Sequence, residues 1–418
     1  MEESKSFDWT TDLKEIPVRE WEDRFVWVEE PYVSPDGETI AGIVNVEEGV
    51  FTVCENGEPW ESEYEKAWCL TPLPDGKFAA CVSNDEEWTL SVGGNDWESR
   101  FDFIWDFQVT PDGSSMSLAV QQDSEYGMAV NDKPWDRMYE NINEMVLSDT
   151  GSTAAVVQVS SMAAADIETF KQGLFSCAVN GKAMEKKFLN IWDISFDSTG
   201  KNVAYGTRLD RSNYTITVND TAWDQNFQSV WKPAFLTGEP CVIAPVKTDG
   251  KWMLYKDCQP FWKNRYNQLW KLAVSRTTGN IAAIVSNKFG KWTVAENDTV
   301  WNMSADQMIS DLVYSKDGST LVAVLKDKEA WTLAVNQKKW DLAADKVFDP
   351  CISSDGNIVC VVIEKQGQYF LVVNNHVIPD GYDFMTTPVI SPDNTKIMQR
   401  AAKDGVYKRQ IMSLDRIL

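Results

Sequence analysis

Short apolar runs and turn residues alternate along nearly the whole chain. Apolar, β-branched stretches such as STLVAVLKD (319–327) and GNIVCVVIE (356–364) begin at or directly after the Gly of an Asp-Gly turn. Runs of this length between turn residues are typical of buried β-strands. A second run begins with an aromatic residue, alternates, and ends in a pair such as Asn-Gly or Asn-Asp, which predicts a tight hairpin. The pattern therefore predicts an all-β protein.

One unit of this pattern recurs about every 38 residues. WTLAVNQKKWD (331–341) has relatives in YGMAVNDKPWD (126–136) and WTVAENDTVWN (292–302). An Asn usually follows the aromatic residue by five positions, at Asn56, Asn131, Asn180, Asn219, Asn297, Asn336 and Asn374. A Trp usually follows it by nine, at Trp60, Trp97, Trp135, Trp223, Trp301 and Trp340, with Trp262 one position later and Met184 and Ile378 as replacements.

An SPDG-like turn keeps the same interval. It ends at Gly37, Gly76, Gly113, Gly151, Gly200, Gly238, Gly279, Gly318, Gly356 and Asn394. Four short strands per unit are typical of one propeller blade. Ten units result, nine continuous and one split between Trp21–Phe25 and the C-terminal segment from Pro388. The prediction is an all-β, WD40-like β-propeller of about ten four-stranded repeats, closed by pairing of the N- and C-terminal strands.

The repeat also sets the expected domain limits. Residues 1–20 are an N-terminal extension, and residues 21–418 are the propeller. A single ring is favoured because no Pro-, Gly- or Ser-rich linker interrupts the period, but two smaller rings are possible. An insertion near 160–171, with an Ala-rich run, lengthens one interval by about eleven residues. It is either a tolerated surface insertion or a docking device, as loops on rigid scaffolds often are.

The net charge and the composition argue against several classes of function. The formal net charge is −24, whereas nucleic-acid binding requires clustered Lys and Arg. No apolar run approaches the roughly 20 residues of a membrane span, and the N-terminus lacks the pattern of a secretory signal. We therefore expect no nucleic-acid partner, no direct membrane span and a cytoplasmic location. The eight cysteines form no C-x-x-C pair and are expected to be buried free thiols.

No catalytic, cofactor-binding or metal site is predicted. The only histidine, His376, lies at a hairpin and is expected to be a surface residue. No nucleotide fingerprint or zinc spacing is present. The repeated aspartates Asp36, Asp75, Asp112, Asp317, Asp355 and Asp393 occupy turns, where Asp stabilises the turn itself. The chain is therefore not expected to be an enzyme.

Tryptophan is unusually abundant, with 19 residues. The hairpin Trp residues recur with aromatic residues that start a strand, such as Trp88, Trp252, Trp292 and Trp331. A third set precedes the turn and comprises Trp27, Trp68, Trp105, Trp192, Trp231 and Trp270. We expect most of them to pack between blades. The two functional alternatives are that they relay electrons or stack against carbohydrate.

The SPDG turn with its apolar strand, and the Trp-Asp hairpin strand, resemble those of WD40-like propellers from Trp21 to Leu418. The usual Gly-His pair cannot recur because only His376 is present. More finely, the Trp excess, acidic composition and absent cofactor motifs resemble the TmcD family, the tryptophan-rich subunits of transmembrane redox complexes in sulfate-reducing bacteria. That resemblance implies an iron–sulfur protein, a cytochrome b and a multihaem cytochrome c as partners, at the cytoplasmic face of the inner membrane.

Two classes of function follow. The favoured hypothesis is a non-catalytic scaffold subunit, without cofactors of its own, of a complex linking periplasmic cytochrome c to cytoplasmic sulfate respiration. The alternative is a propeller hydrolase or glycan-binding protein that uses channel carboxylates and exposed Trp. The fold alone does not choose between them, and the sequence does not show which face or loops contact partners.

Overall fold

The structure, a computed structural model, describes residues 7–160, 171, 173–238 and 240–417. Strands dominate these residues, and the chain divides into two compact units. Unit 1 comprises Met1–Gly113 and Asp341–Leu418, and unit 2 comprises Ser114–Trp340. The predicted insertion near 160–171 lies, apart from Ser160 and Lys171, outside the described residues.

Unit 1 contains one short helix, α1 (Arg19–Arg24), a 3₁₀ helix (Leu414–Arg416) and twenty of the described strands. The strands are β1 (Leu13–Pro17), β2 (Trp27–Val28), β3 (Tyr32–Val33), β4 (Ile40–Glu47), β5 (Val50–Glu55), β6 (Glu58–Pro59), β7 (Lys66–Pro72), β8 (Phe78–Asn84), β9 (Glu87–Val92), β10 (Asn95–Asp96), β11 (Phe103–Val109), β36 (Lys346–Val347), β37 (Cys351–Ile352), β38 (Val359–Lys365), β39 (Gln368–Val373), β40 (His376–Val377), β41 (Phe384–Met385), β42 (Val389–Ile390), β43 (Lys396–Lys403) and β44 (Val406–Ser413).

Unit 2 contains the remaining strands. They are β12 (Met116–Gln122), β13 (Glu125–Val130), β14 (Lys133–Pro134), β15 (Ile142–Leu147), β16 (Thr153–Gln158), β17 (Phe175–Val179), β18 (Lys182–Ala183), β19 (Asn190–Phe196), β20 (Val203–Arg208), β21 (Tyr214–Val218), β22 (Thr221–Ala222), β23 (Ser229–Val230), β24 (Ala234–Phe235), β25 (Val242–Thr248), β26 (Lys251–Lys256), β27 (Gln259–Pro260), β28 (Gln268–Val274), β29 (Ile281–Lys288), β30 (Lys291–Glu296), β31 (Thr299–Val300), β32 (Met308–Tyr314), β33 (Leu321–Asp327), β34 (Ala330–Val335) and β35 (Lys338–Lys339).

Within the described residues these strands form ten antiparallel sheets. In nine of them the strands pair in chain order, as in β7-β8-β9-β10, whereas in the last sheet β1 pairs with β44. Four of the sheets contain five strands. In three of them the first strand is broken into two short strands, as in β23 and β24. In the last sheet the first strand is also broken, and β1 provides the fourth strand of the blade. Buried residues of neighbouring sheets pack together, for example Ile284 and Val294 with Leu312 and Ala323. The predicted fold class is confirmed: the protein is a β-propeller of ten small four-stranded blades. The choice between one ring and two stays a prediction.

The repeated Asn residues have a defined role at the hairpin after the third strand. Asn336 has a φ of 44°, and its side-chain oxygen accepts a hydrogen bond of 2.8 Å from the Leu321 amide at the start of the second strand. Asn tolerates this left-handed conformation better than most residues. The same bond is made by Asn56, Asn131, Asn180, Asn219, Asn297 and Asn374, and by Asp257.

The turn aspartates act as the sequence indicates. Ser315 Oγ donates to Asp317 Oδ1 at 2.6 Å, and the Ser319 amide donates to the same oxygen at 3.0 Å. Hydrogen bonding from Ser353 lowers the pKa of the equivalent Asp355. Hairpin Trp residues pack against the next hairpin, as Trp135 does against Gly181, where a Cβ would lie 2.9 Å from the ring.

The N-terminal strand completes the last sheet. β1 pairs with β44 in antiparallel register, Leu13 opposite Gln410 and Pro17 opposite Val406. The predicted pairing of terminal strands is confirmed, but the segment was placed wrongly. Trp21–Phe25 is not a strand: Arg19–Arg24 is helical, with Glu20 and Glu22 in its first turn and Arg24 in its last, which suits the helix dipole. The pairing strand lies instead inside the predicted extension 1–20.

Candidate functional site

The first strands of several sheets share a bulge. A residue next to the third-set Trp position adopts a left-handed conformation, with φ between 48° and 57°, at Cys69, Asp106, Glu144, Asp193 and Lys271. The pairing register shifts at these places, for example between Trp192 and Ser195. Bulges re-aim side chains and are frequent beside functional sites. A non-glycine residue in this region is also uncommon, so the repeated bulge marks the first strands as candidate functional positions.

The third-set Trp residues are more exposed than the hairpin Trp residues. Trp27 is 51% exposed, Trp231 43% and Trp68 37%, whereas Trp301 is 3% exposed. Trp68, Trp192, Trp231 and Trp270 each contact the aromatic residue that starts a third strand: Trp231 stacks on Trp252 with ring centroids 5.6 Å apart. Packing between blades therefore accounts for the buried hairpin Trp but leaves part of the third set facing solvent.

In unit 1 four aromatic side chains on first strands are exposed, Trp27, Tyr32, Trp68 and Phe103, and we call this set the aromatic patch. Trp68 stacks on Phe103 with centroids 6.1 Å apart, and Phe103 stacks on the half-buried Trp105 at the same distance. All four patch residues lie on the first strands β2, β3, β7 and β11. The sequence repeat marks Trp27 and Trp68 but gives no signal for Tyr32 and Phe103, because neither of these occupies a repeated position.

Acidic groups surround this patch. Burial raises the pKa of Glu29, and the neighbouring Glu30 carboxylate raises it further. The pKa of Tyr32 is raised by burial and by both carboxylates. The bulge places a further carboxylate, Asp106, at the exposed side of β11. Lys66 Nζ lies 5.9 Å from the centre of the Trp88 ring, which packs against Trp68 and Phe103. The three carboxylates outnumber this ammonium, so the charge around the patch favours a positively charged ligand.

Cys69 occupies the bulge of β7 and contacts a second thiol. All eight cysteines are free, as predicted, but four are buried and four only partly buried; Cys81 is buried opposite Trp68. A hydrogen bond from the Cys81 thiol lowers the pKa of Cys69, while the pKa of Cys81 is raised. The thiolate, not the thiol, is the nucleophile of cysteine chemistry.

We expect iodoacetamide at pH 7 to alkylate Cys69 before the other cysteines. Because the depressed pKa depends on the bond from Cys81, Cys81→Ala should raise the pKa of Cys69 and slow its alkylation at pH 7 several-fold. Mass spectrometry of timed digests measures the rates, with half-buried Cys258 as the internal reference. Equal rates at Cys69 and Cys258 in the unsubstituted protein would contradict the expectation.

Unit 2 contains a cavity of about 780 Å³ along its first strands. β15, β19, β24 and β28 contribute to its lining, together with the segment after β23. The apolar lining includes Trp231, Phe235 and Trp270, and the charged lining includes Asp193 and Lys232. Its volume is within the range of ligand-binding pockets, which are mostly apolar with a few convergent polar groups.

The other residues that the sequence offers as catalytic or metal-binding candidates do not assemble into a site within the described residues. His376 is exposed at the start of β40. Within the described residues no group of three or more His, Cys, Asp or Glu side chains could hold a metal ion. The part of the chain that the structure describes also contains no helix that is long and apolar enough to cross a bilayer.

Weak structural likenesses to known proteins accompany this topology. No protein-family model and no curated protein matches the chain. Among solved structures it is similar to a eukaryotic initiation factor (TM-score 0.49, 10% identity, 85% of this chain and 88% of that one). It is also similar to the Dos1 propeller (0.37, 9%, 96% and 95%). The β-propeller domain of the Trilobed protease from Pyrococcus furiosus, which has an open velcro topology, is a further similar structure (0.31, 12%, 65% and 95%). Because these likenesses are weak, the sheet topology described above carries the fold assignment.

Proposed function

We propose that the protein is a non-catalytic scaffold that acts through protein–protein contacts, with the aromatic patch of unit 1 as a docking surface. The observation that carries this proposal is the exposed stack of Trp68 on Phe103. Exposed aromatic clusters cost free energy in water and commonly mark interaction sites. Trp and Tyr are also the residues most enriched in the energetic centres of protein interfaces.

Charge defines the class of partner. Glu29, Glu30 and Asp106 border the patch, and the whole chain has a net charge of −24. A partner segment with Lys or Arg side chains beside aliphatic residues would match both features, since cations are attracted to aromatic faces and to carboxylates. An acidic partner would be repelled. The proposed occupant of the patch is therefore a basic, partly apolar protein segment.

The resemblance to tryptophan-rich redox-complex subunits suggests where this partner belongs. We propose that the protein is an accessory subunit of a membrane-associated electron-transfer complex, held at the cytoplasmic face of the inner membrane by its partners. Those partners would be an iron–sulfur protein, a cytochrome b and a multihaem cytochrome c. A rigid propeller fold and an exposed docking surface are compatible with such a role, which requires no chemistry from this chain.

Purification from native membranes in mild detergent tests this proposal. Haem and iron–sulfur subunits should co-purify with the tagged chain in a fixed ratio. Trp68→Ala should weaken that association by at least about 2 kcal/mol, roughly 30-fold, as loss of an interface anchor does. Phe261→Ala, which removes a similarly exposed aromatic side chain from unit 2, is the matched control. A lone, colourless monomer would refute the redox-complex role, and an unchanged complex with Trp68→Ala would refute the docking surface.

A further inference from the structure

The unit 2 cavity differs from the aromatic patch because its charged groups are largely paired with one another. Arg276 Nη2 lies 2.9 Å from Asp149 Oδ2, and Lys271 Nζ lies 3.0 Å from Asp311 Oδ1. Asp197 accepts hydrogen bonds within its own turn, including one of 3.0 Å from the Lys201 amide. These pairs leave little net charge to attract an ionic ligand.

Two charged groups in the cavity retain hydrogen-bonding capacity. The Asp193 carboxylate accepts no hydrogen bond from the described residues, and the Lys232 ammonium donates none to them. Burial raises the pKa of Asp193, the positive charge of Lys232 opposes this rise, and Glu144 adds to it. A half-buried carboxylate without hydrogen bonds is unfavourable, so this position would gain from a ligand that donates to it. Lys232 provides a donor beside that acceptor.

Trp231 provides a flat apolar platform next to this donor–acceptor pair. It immediately precedes Lys232, lines the cavity and is 43% exposed. One face of its ring is held by parallel stacking on the buried Trp252, with an angle of 14° between the rings. That contact fixes the orientation of the indole before any ligand binds, which reduces the entropy lost on binding.

From these features we propose that the unit 2 cavity binds a neutral carbohydrate. The apolar C–H face of a pyranose ring would pack on Trp231, which buries apolar area on both sides. Neighbouring hydroxyls would donate to Asp193 and accept from Lys232, as charge-assisted hydrogen bonds. Because Asp193 and Lys232 compensate each other, a neutral polyhydroxylated ligand fits better than an anion or a cation. This site is independent of the scaffold function and lies wholly in unit 2.

Isothermal titration calorimetry on the full chain tests the proposal with maltotriose, cellotriose, chitotriose and mannotriose, and with citrate as an anionic comparison. We expect at least one trisaccharide to bind and citrate not to bind. Trp231→Ala should weaken binding about tenfold or more because the platform is lost. Lys232→Gln should weaken it several-fold. Trp231→Phe, which keeps an aromatic ring on Trp252, should retain most of the affinity and shows that any loss is not caused by misfolding.

The matched control is Phe261→Ala, which removes a similarly exposed aromatic side chain of unit 2 that does not line the cavity and should leave the sugar affinity unchanged. Absence of binding by all four trisaccharides would overturn the proposal. So would binding that persists at full affinity in Trp231→Ala, or binding of citrate in place of the sugars. None of these results depends on partner proteins, so the scaffold proposal stands or falls separately.

Discussion

Replacing Arg409 with methionine is expected to lower the free energy of unfolding by about 3–5 kcal/mol. The Arg409 side chain is fully buried and joins the last sheet to the N-terminal segment and to the first turn of unit 1. Its guanidinium donates to the carbonyl oxygens of Asp36 at 3.1 Å and Thr11 at 3.2 Å, donates to that of Asp8, and forms an ion pair of 3.0 Å with Glu38. Methionine fills much of the volume but removes the donor to these three carbonyl oxygens, whereas Glu38 keeps its ion pair with Lys14. Urea-induced unfolding followed by far-ultraviolet circular dichroism measures the change.

Lys14→Met is the matched control for this prediction. Lys14 Nζ also binds Glu38, at 2.9 Å, but its side chain is 35% exposed. A partly exposed ion pair of this kind contributes at most about 1 kcal/mol. If both variants shift the urea midpoint equally, the buried hydrogen bonds of Arg409 are not what stabilises the junction of the terminal segments.

The fold was predictable from the sequence because each blade uses the same local chemistry. Asn at the hairpin supplies both a left-handed residue and a side-chain acceptor, and Asp after Ser supplies a turn acceptor. Apart from the Asn180 bond, which spans 27 positions, both features depend on residues within about 16 positions of each other, so they recur wherever the fold recurs. The number of blades follows from counting them.

The terminal segments were harder to predict because non-local contacts determine their conformation. Trp21-Glu-Asp resembles the Trp-Asp hairpin strand, yet in the structure Trp21 is held in α1 by core contacts with Ile16 and Tyr407. β1 becomes a strand because β44 presents an unpaired edge to it. Nothing in the five residues of β1 alone distinguishes them from an extension.

The candidate sites could not be predicted from the sequence for a related reason. Asp193 and Lys232 are nearly 40 residues apart, Asp193 on the first strand β19 and Lys232 in the break between β23 and β24. Repeated residue types are not required for folding at these positions. Because the repeat keeps only structural residues, positions that vary between blades are where specific chemistry resides. The sequence therefore indicated the scaffold and the third set of Trp residues. It did not show which of these Trp residues would line a cavity beside a hydrogen-bond acceptor and a hydrogen-bond donor.

Trp21 and Trp27 are six positions apart but have different expected roles, Trp21 in the core and Trp27 at the surface. Trp21→Ala is expected to lower the free energy of unfolding by about 3–5 kcal/mol, because it removes a large side chain that is only 2% exposed. Its ring packs with Val33 and Ile40 and lies against the backbone at Gly42, where an added Cβ would be 3.7 Å from Cζ3. Relaxation of these rigid neighbours cannot fill the space.

Trp27→Ala, by contrast, should change the free energy of unfolding by no more than about 0.5 kcal/mol, since Trp27 is 51% exposed. Urea unfolding of both variants under the same conditions makes the comparison. A destabilisation by Trp27→Ala as large as that by Trp21→Ala would mean that Trp27 belongs to the core of unit 1. Its exposure would then no longer support a docking surface, whereas a stable Trp27→Ala protein that loses its partner would establish that the exposed ring serves binding alone.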